Sequence, residues 1–257
     1  MAHPEPTAAD QDRPDVYLTV DVEPDCPPYM WTWRGIVEGM PRLMEIFAEE
    51  GVPGTFFTTG ATAENYPDCV SALVATGHEL ACHGYSHNSF LTMDEDTARR
   101  EIVVTNAILR GFAPVTSFRA PYLRFQERFL PILTDDGISV DASRARYKHQ
   151  QPLSREEGGP ARLAASVTSS VLRLPEIIRN PWLAALKTPV TLFVHPWEFV
   201  DLRSTRLRYD CRFNTGAPAL ECFRGAIRFF KGRGANFRLV RDFPSLSGHA
   251  PKASIER

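Results

Sequence analysis

Short apolar runs and longer helical patterns alternate along nearly the whole chain, and this alternation constrains the fold more than any other feature. The apolar runs are almost continuous, which is typical of strands buried on both faces of a parallel sheet. Strands are predicted over residues 16–21, 54–59, 78–82, 115–118, 138–140, 171–174, 190–194 and 237–240. Helices are predicted over residues 35–51, 61–76, 94–111, 125–137, 181–187 and 219–232. Seven or eight strand–helix units therefore predict an α/β fold in which helices cover a parallel sheet.

One internal segment departs from this alternation. Residues 144–170 are rich in Arg, Gln, Pro and Gly and have little periodicity, so they are predicted to form a long excursion. The chain of 257 residues is long enough for a single α/β barrel. We expect one domain over residues 16–243, between a flexible N-terminal segment (1–15) and a C-terminal tail (244–257).

Charge and composition limit the partners and the compartment. A formal net charge of −2 gives no electrostatic reason to expect nucleic acid or an anionic membrane surface as a partner. No apolar run approaches the ~20 residues of a membrane span. Residues 1–15 lack the basic start and apolar core of a secretory signal, and the five cysteines form no C-x-x-C pair. These features predict a cytoplasmic protein with reduced thiols and no membrane span, and they leave an oligomer open.

Polar residues of the kinds used in catalysis follow the predicted strands. Seven of them lie at, or just past, the C-terminal end of a strand: Asp21, Glu23, His83, His87, Arg119, Asp141 and His195. In a closed barrel of parallel strands, this rim is where active sites are built. Each residue alone could belong to a solvated turn, but seven at the same kind of position predict one site.

The pair His83 and His87 is the strongest indication of a metal. Neutral imidazole is the commonest metal ligand, and a catalytic zinc usually takes three protein ligands. The third ligand is predicted to be a carboxylate, either Glu23 or Glu79, because strand alternation places Glu79 on the same face as His83. The alternation turns His78 to the other face, so it is expected to be structural. An isolated H-x-x-x-H pair would more often be two polar residues of an exposed loop.

Five short motifs, in this order and spacing, resemble those of the polysaccharide deacetylases over roughly residues 16–243. They are T-V-D-V-E-P at 19–24, H-x-x-x-H at 83–87, R-A-P-Y at 119–122, D-x-S at 141–143 and L-x-x-H at 192–195. The resemblance implies a distorted (β/α)7 barrel. It also implies metal-dependent removal of an N-acyl group, usually acetyl, from an amino sugar or from a glycan or glycolipid precursor that contains one.

The resemblance also implies individual roles. Asp21 matches the family's catalytic base, His83 and His87 match its metal ligands, Arg119 matches the residue that orients the base, and His195 matches the general acid. The usual motif has two adjacent aspartates, whereas here Val22 holds the second position and the carboxylate ligand moves to Glu23. This D-x-E variant is similar to intracellular members of the family. Residues 34–43 are also similar to the corresponding part of lipid-linked aminoarabinose deformylases.

The chemistry of amide hydrolysis assigns the same residues. A bound divalent ion, with zinc as the expected metal, activates water and polarises the carbonyl. Asp21 can accept the proton of that water and His195 can protonate the leaving amine. The backbone N–H of Tyr122 is a candidate oxyanion donor. Asp141 would either hold His195 in the right tautomer or brace its own loop.

Two loops are predicted to border the substrate. Trp31 and Trp33 follow the first strand, and exposed aromatic residues beside a site often bind ligands, as Tyr122 is also expected to do. A basic loop follows the strand that ends at His195, and its arginines are Arg206, Arg208 and Arg212.

Two other function classes remain open. One is a different C–N hydrolase on the same barrel, such as a deformylase or a metal-free enzyme acting on a cyclic amide. The other is a carbohydrate-binding protein that has lost catalysis.

Overall fold

The computed structural model describes residues 13–148 and 159–246. Its strands are β1 Asp15–Val22, β2 Thr55–Thr58, β3 Glu79–Cys82, β4 Ser117–Phe118, β5 Val140–Ala145, β6 Ala161–Ala165, β7 Val190–Val194 and β8 Asn236–Arg238. Its helices are α1 Met40–Glu50, α2 Gly60–Asn65, α3 Pro67–Ala75, α4 Glu95–Arg110, α5 Leu130–Asp135, α6 Ser169–Leu172, α7 Glu176–Ala184, α8 Tyr209–Arg212, α9 Ala217–Gly232 and α10 Phe243–Leu246. A π-helical turn, Gly35–Gly39, precedes α1.

The strands form one parallel sheet that curls into a nearly closed barrel. Their order is β6-β5-β4-β3-β2-β1-β7, and β8 pairs with the first part of β1. The two outer strands approach each other where the Ser166 N–H donates to the Thr191 carbonyl (2.8 Å) and the Thr191 N–H donates to the Ser166 hydroxyl (3.0 Å). The predicted (β/α)7 barrel is therefore confirmed, with seven strands around the ring.

The core has two layers because successive side chains of a strand point to opposite faces. Inside the barrel lie Tyr17, Phe57, Ala81, Val140, Ala142 and Leu163. The opposite faces of β1 and β7 pack against α1 and α9, burying Val20, Leu192 and Phe47 among others. A second outer cluster packs β3 and β4 against α4 and α5. Polar side chains that face inward therefore lie toward the two ends of the barrel, with Glu79 at the amino end and Asp21 and Arg119 at the carboxyl end.

Local sequence signals explain several helix ends. Helix α4 begins at Asp94, whose carboxylate accepts the Thr97 N–H (2.8 Å), as a capping residue should. Helix α1 ends at Gly51, whose φ of 59° lies in the left-handed region open to glycine. The single helix predicted over 61–76 is wrong: α2 ends at Asn65, and Pro67 starts α3, because proline fits the first turn of a helix and not its interior.

The prediction for the sixth strand is wrong. Residues 171–174 do not form a strand; the chain there is helical from Ser169 to Leu172 after an extended Thr168. Strand β6 lies instead at Ala161–Ala165, inside the predicted excursion 144–170, and β5 extends to Ala145. Three parts of the predictions lie outside the described residues: residues 149–158 of the excursion, residues 1–12 of the predicted N-terminal segment and residues 247–257 of the predicted tail.

None of the described helices is long and apolar enough to cross a membrane. All five cysteines are free thiols.

Candidate active site at the carboxyl rim

Glu23, His83 and His87 form a compact buried group at the rim. Glu23 follows β1 directly, His83 follows β3, and His87 lies on the turn after it. Glu23 Oε2 lies 3.2 Å from His83 Nε2 and 2.6 Å from His87 Nε2, and all three residues are buried. Their ligand atoms lie within 4.8 Å of one another, so one ion could contact all three.

The orientation of His83 fits a metal ligand. Its backbone N–H donates to the Thr58 carbonyl (3.1 Å), which extends the sheet by one residue. Its Nδ1 lies 2.8 Å from the Arg119 carbonyl, so Nδ1 carries the proton and the lone pair of Nε2 faces Glu23. Metal-binding histidines are usually held in this way through the other ring nitrogen. The donor set, one carboxylate and two imidazoles, is one that zinc accepts.

Glu101 on α4 holds the turn that carries His87. Its Oε2 accepts the backbone N–H groups of Tyr85 (2.7 Å) and Ser86 (2.9 Å), and its Oε1 accepts the Ser86 hydroxyl (2.5 Å). Gly84 and His87 both have positive φ, 71° and 58°, which turns the chain sharply between the two histidines. The motif alone did not indicate Glu101, because it lies on the next helix.

Asp21 is paired with Arg119 across the barrel. Arg119 NH1 lies 2.6 Å from Asp21 Oδ1 and donates to the Thr19 hydroxyl (2.8 Å). Both members of the pair are buried, and the guanidinium lies over the Phe57 ring at 4.1 Å. Asp21 and Glu23 are separated by one residue and both face the site, as strand alternation predicts.

His195 approaches the two carboxylates from β7. Its Nε2 lies 4.0 Å from Asp21 Oδ2 and 3.9 Å from Glu23 Oε1. Its Nδ1 lies 2.7 Å from Glu198 Oε1, and the same oxygen accepts the His195 backbone N–H (3.1 Å). Glu198 was not assigned a role from the sequence, although H-P-W-E places an acid three residues after the histidine in a capping pattern.

Charges at the site shift three pKa values. Burial by itself raises the pKa of Glu23, but His87 and His195 outweigh it and hold this pKa well below its ordinary value. Burial lowers the pKa of His195, but Glu23, Glu198 and Asp21 raise it to about 9. Burial also opposes ionisation of Glu198, whereas Arg173 and His195 lower its pKa. All three shifts favour the charged form of the group concerned.

Asp141 contacts a residue of its own strand and a residue of the neighbouring strand β6. Its Oδ1 accepts the Ser143 N–H (3.0 Å) and the Ser143 hydroxyl, and its Oδ2 lies 2.8 Å from Arg162 Nε. The Ser143 oxygen in turn accepts the Ala120 N–H (2.8 Å), which fixes the segment beside Arg119. Glu198 occupies Nδ1 of His195, so of the two roles left open for Asp141 the geometry favours the brace.

Tyr122 has an unusual backbone conformation beside His87. Its φ and ψ are 61° and 10°, in the left-handed region that a bulky residue rarely adopts, and such conformations are often found at functional sites. Its ring meets the His87 ring edge-on at 4.8 Å and is partly exposed. Its use as an oxyanion donor and as a substrate contact stays a prediction.

Glu79, the alternative to Glu23 that the sequence left open, and His78, which was expected to be structural, both make their contacts elsewhere. Glu79 accepts hydrogen bonds from the Thr55 hydroxyl (2.7 Å), the Ser117 hydroxyl (2.6 Å) and the Arg241 N–H (3.0 Å), at the opposite end of β3 from His83. His78 Nδ1 accepts the Gly54 N–H (3.1 Å), which is a structural role. Glu23 is thus the carboxylate that the fold brings to the histidines.

The predicted substrate loops differ in exposure. Trp31 is half exposed, whereas Trp33 packs on Tyr66 (ring centroids 5.4 Å apart) and against the core. Arg208 donates to the Tyr29 hydroxyl (2.9 Å), Arg212 donates to the carbonyls of Leu207 (3.1 Å) and Arg203 (3.2 Å), and Arg206 is exposed. Their contact with substrate stays a prediction.

Fold and site define the class of the protein: a parallel α/β barrel that carries on one rim a buried carboxylate–histidine group able to hold a metal, a buried Asp–Arg pair and a histidine. The sequence profile of the polysaccharide deacetylases matches residues 8–140. The chain belongs to the polysaccharide deacetylase family.

Individual relatives agree with this assignment. The chain is 31% identical over 130 residues to a chitooligosaccharide deacetylase of Sinorhizobium fredii, a match that covers 49% of this chain and 55% of the relative. It is 30% identical over 131 residues to a peptidoglycan-N-acetylglucosamine deacetylase of Bacillus cereus, covering 50% of this chain and 43% of the relative. The matches thus span only about half of the length of these relatives.

Solved structures share the fold. The Bc1960 peptidoglycan N-acetylglucosamine deacetylase superposes with a TM-score of 0.62 at 21% identity, over 93% of this chain and 90% of that one. A Mycobacterium smegmatis protein proposed to be a polysaccharide deacetylase superposes with a TM-score of 0.67 at 20% identity, over 100% of this chain and 98% of that one.

Proposed function

We propose that the protein is a metal-dependent hydrolase that removes an N-acetyl group from an amino sugar. One observation carries the proposal: a buried Glu–His–His group, an Arg-paired aspartate and a histidine converge within about 4 Å on one rim. Amide hydrolysis needs a proton acceptor for water and a proton donor for the leaving amine, and Asp21 and His195 are placed for these two tasks.

Glu23, His83 and His87 would hold the divalent ion, for which we propose zinc. When bound, such an ion lowers the pKa of a coordinated water to about 7 and polarises the acyl carbonyl. The donor set also counts against a metal-free mechanism on this barrel, because burying Glu23 between two imidazoles is costly unless a cation uses the group.

The chain's own residues supply the proton transfers. Asp21, held in place by its contact with Arg119, would accept one proton of the attacking water. The Tyr122 backbone N–H would donate to the oxygen of the tetrahedral intermediate. His195 Nε2 would give its proton to the amine nitrogen as the C–N bond breaks, leaving acetate and a free amino sugar. The base and the acid are thus different groups, which the 4.0 Å separation of their nearest atoms permits.

The substrate class rests on the relatives and on one exposed aromatic residue. The named relatives are deacetylases of chitooligosaccharides and of peptidoglycan N-acetylglucosamine, so we propose an N-acetylglucosamine-containing glycan as the substrate. Trp31, half exposed in the loop after β1, offers an apolar surface on which a sugar ring could stack.

The test uses the full chain and N-acetylated chitooligosaccharides. Chelator-treated protein should release little acetate, and added zinc should restore acetate and free amine in equal amounts. Asp21→Asn should stay inactive with zinc, whereas Asp201→Asn, an exposed aspartate paired with Arg203, should match the wild type. Activity that survives complete metal removal would refute metal dependence. Turnover of N-formyl but not N-acetyl sugars would replace the acetyl assignment with formyl.

We also propose a reducing compartment, namely the cytoplasm. The five free cysteines support this assignment, because two of them, Cys26 and Cys211, contact each other, and adjacent thiols persist where the medium is reducing. Fractionation of cells that produce the tagged chain would test it, and recovery outside the cytoplasm would refute it.

A further inference from the structure

Glu198 contacts the imidazole of His195 at Nδ1, on the side away from Asp21 and Glu23. Oε1 of this carboxylate lies 2.7 Å from Nδ1 and accepts the histidine's own backbone N–H at 3.1 Å. The Trp197 ring stacks on the imidazole at 5.0 Å, with 20° between the ring planes. A carboxylate on one nitrogen and a ring against one face leave the imidazole a single orientation. In that orientation, Nε2 faces Asp21 and Glu23.

Arg173 compensates the charge of Glu198. Its Nε lies 2.8 Å from Glu198 Oε2, an ion-pair contact between two side chains that are both almost fully buried. The two atoms are not aligned for a hydrogen bond, so the contact stabilises the pair mainly through the attraction between opposite charges. A buried carboxylate is costly without such a partner, because it loses its hydration.

Arg173 also ties this pair to the loop after β7. Its terminal nitrogens donate to the carbonyls of Asp210 (2.7 Å), Cys211 (3.3 Å) and Phe213. The Arg173 carbonyl accepts from Asn214 Nδ2 (2.7 Å), so the bonds run in both directions. The guanidinium therefore contacts one carboxylate through Nε and one loop through its terminal nitrogens, and none of these contacts is with Glu23, His83 or His87.

We propose that Glu198 and Arg173 are positioning residues that hold His195 with its Nε2 directed at the leaving amine. The inference rests on the proposed function and deepens it, because it assigns two residues that act through the general acid. The bond to Nδ1 determines which ring nitrogen is free to donate. Arg173 keeps the carboxylate in place and ionised.

The test exploits the leaving group. A sugar amine must be protonated as it departs, whereas 4-nitrophenolate leaves without a proton. Glu198→Gln should lower kcat for chitooligosaccharide deacetylation by about 10–100-fold, the range typical of lost orienting partners. KM should change less than about twofold, and hydrolysis of 4-nitrophenyl acetate should fall less than about threefold. Arg173→Met should behave alike, and Arg173→Lys should recover part of the rate.

A control and a second readout separate the possible failures. Glu50→Gln alters another buried carboxylate, which pairs with Arg228 and Lys231. This variant should change neither the deacetylation of chitooligosaccharides nor the hydrolysis of 4-nitrophenyl acetate. In the NMR spectrum, the proton on His195 Nδ1 should be strongly downfield in the wild type and in Arg173→Lys, and should shift upfield in Glu198→Gln.

Equal losses on both substrates, or an unchanged Nδ1–H resonance, would overturn the positioning role. A wild type that deacetylates no amino sugar would overturn the proposed function, while the NMR comparison would still decide whether Glu198 and Arg173 orient the ring. If Glu198→Gln does not fold, the pair Arg173→Met and Arg173→Lys carries the same test.

Discussion

The division of work between Asp21 and Glu23 leads to opposite outcomes for two conservative substitutions. Asp21→Asn removes the charge facing Arg119 NH1, 2.6 Å away, and keeps an oxygen that can accept a hydrogen bond. Glu23→Gln removes the charge between the two imidazoles, which lie 3.2 and 2.6 Å from Oε2. The first should abolish proton transfer and keep the metal, and the second should weaken the metal site.

The size of the Asp21→Asn effect follows from its burial. Loss of a general base costs about 10²–10⁴ in kcat. Breaking a buried ion pair by removing one partner costs about 3–5 kcal/mol, and the retained acceptor places this case near 3 kcal/mol. For a domain of this size, each kcal/mol lowers Tm by about 2–4 °C, so Tm should fall by about 6–12 °C. Activity must therefore be measured well below the transition.

Glu23→Gln should show the converse pattern. Removal of a direct ligand should weaken metal binding by more than the about 10–100-fold typical of outer-shell partners. Metal content of the dialysed protein should fall, and excess zinc should restore part of the rate. Elemental analysis and zinc-titrated acetate release on both variants provide the assay. Rescue of Asp21→Asn by zinc, with no response from Glu23→Gln, would show that the two roles are reversed.

Three further predictions concern the same rim. His87→Ala should lose most of its bound metal, and metal content equal to the wild type would remove His87 from the ligand set. Glu101→Ala removes three hydrogen bonds to the turn before His87 and should weaken zinc affinity by about 10–100-fold in a chelator competition. The control Glu64→Ala loses one hydrogen bond to the exposed Tyr85 hydroxyl and should leave zinc affinity unchanged. Equal zinc affinities of the two variants would refute the role of Glu101 in holding this turn. Trp31→Ala should raise KM for chitooligosaccharides with Tm unchanged, whereas Trp33→Ala should lower Tm through lost packing; the opposite pattern would exchange their roles.

The rim residues could be predicted because their positions follow from the chain's periodicity. A polar residue directly after an apolar strand must lie at the carboxyl edge, and Asp21, His83, Arg119 and His195 were all found by this rule. The rule predicts that a residue lies at the carboxyl edge of the sheet, but it does not predict which side chains it contacts there. The partner of His195 was therefore left open, and the partner proved to be Glu198 on its own turn and not Asp141 from another strand.

Strand β6 could not be predicted for a different reason. The segment A-R-L-A-A alternates buried and half-buried residues and lacks the continuous apolar run of the inner strands, since it lies at the open edge of the sheet. The strand was predicted at residues 171–174 instead, because Val171 and Leu172 are apolar, yet both residues lie in a helical turn. Arg173 follows that turn, so an error in secondary structure concealed the residue that pairs with Glu198.

The contact between Asp21 and Arg119 also depends on barrel closure. β1 and β4 are three strands apart in the sheet order, and neighbouring strands lie about 4.8 Å apart, so a flat sheet would separate them by about 14 Å. An arginine side chain could not bring NH1 to 2.6 Å of the carboxylate over that distance along the sheet. The contact is made across the interior, over the Phe57 ring, because the sheet curls. The pairing of the proposed base with Arg119 is therefore a property of the closed barrel, and a change that loosens the approach of β6 to β7 should act on Asp21 although it touches no residue of the site.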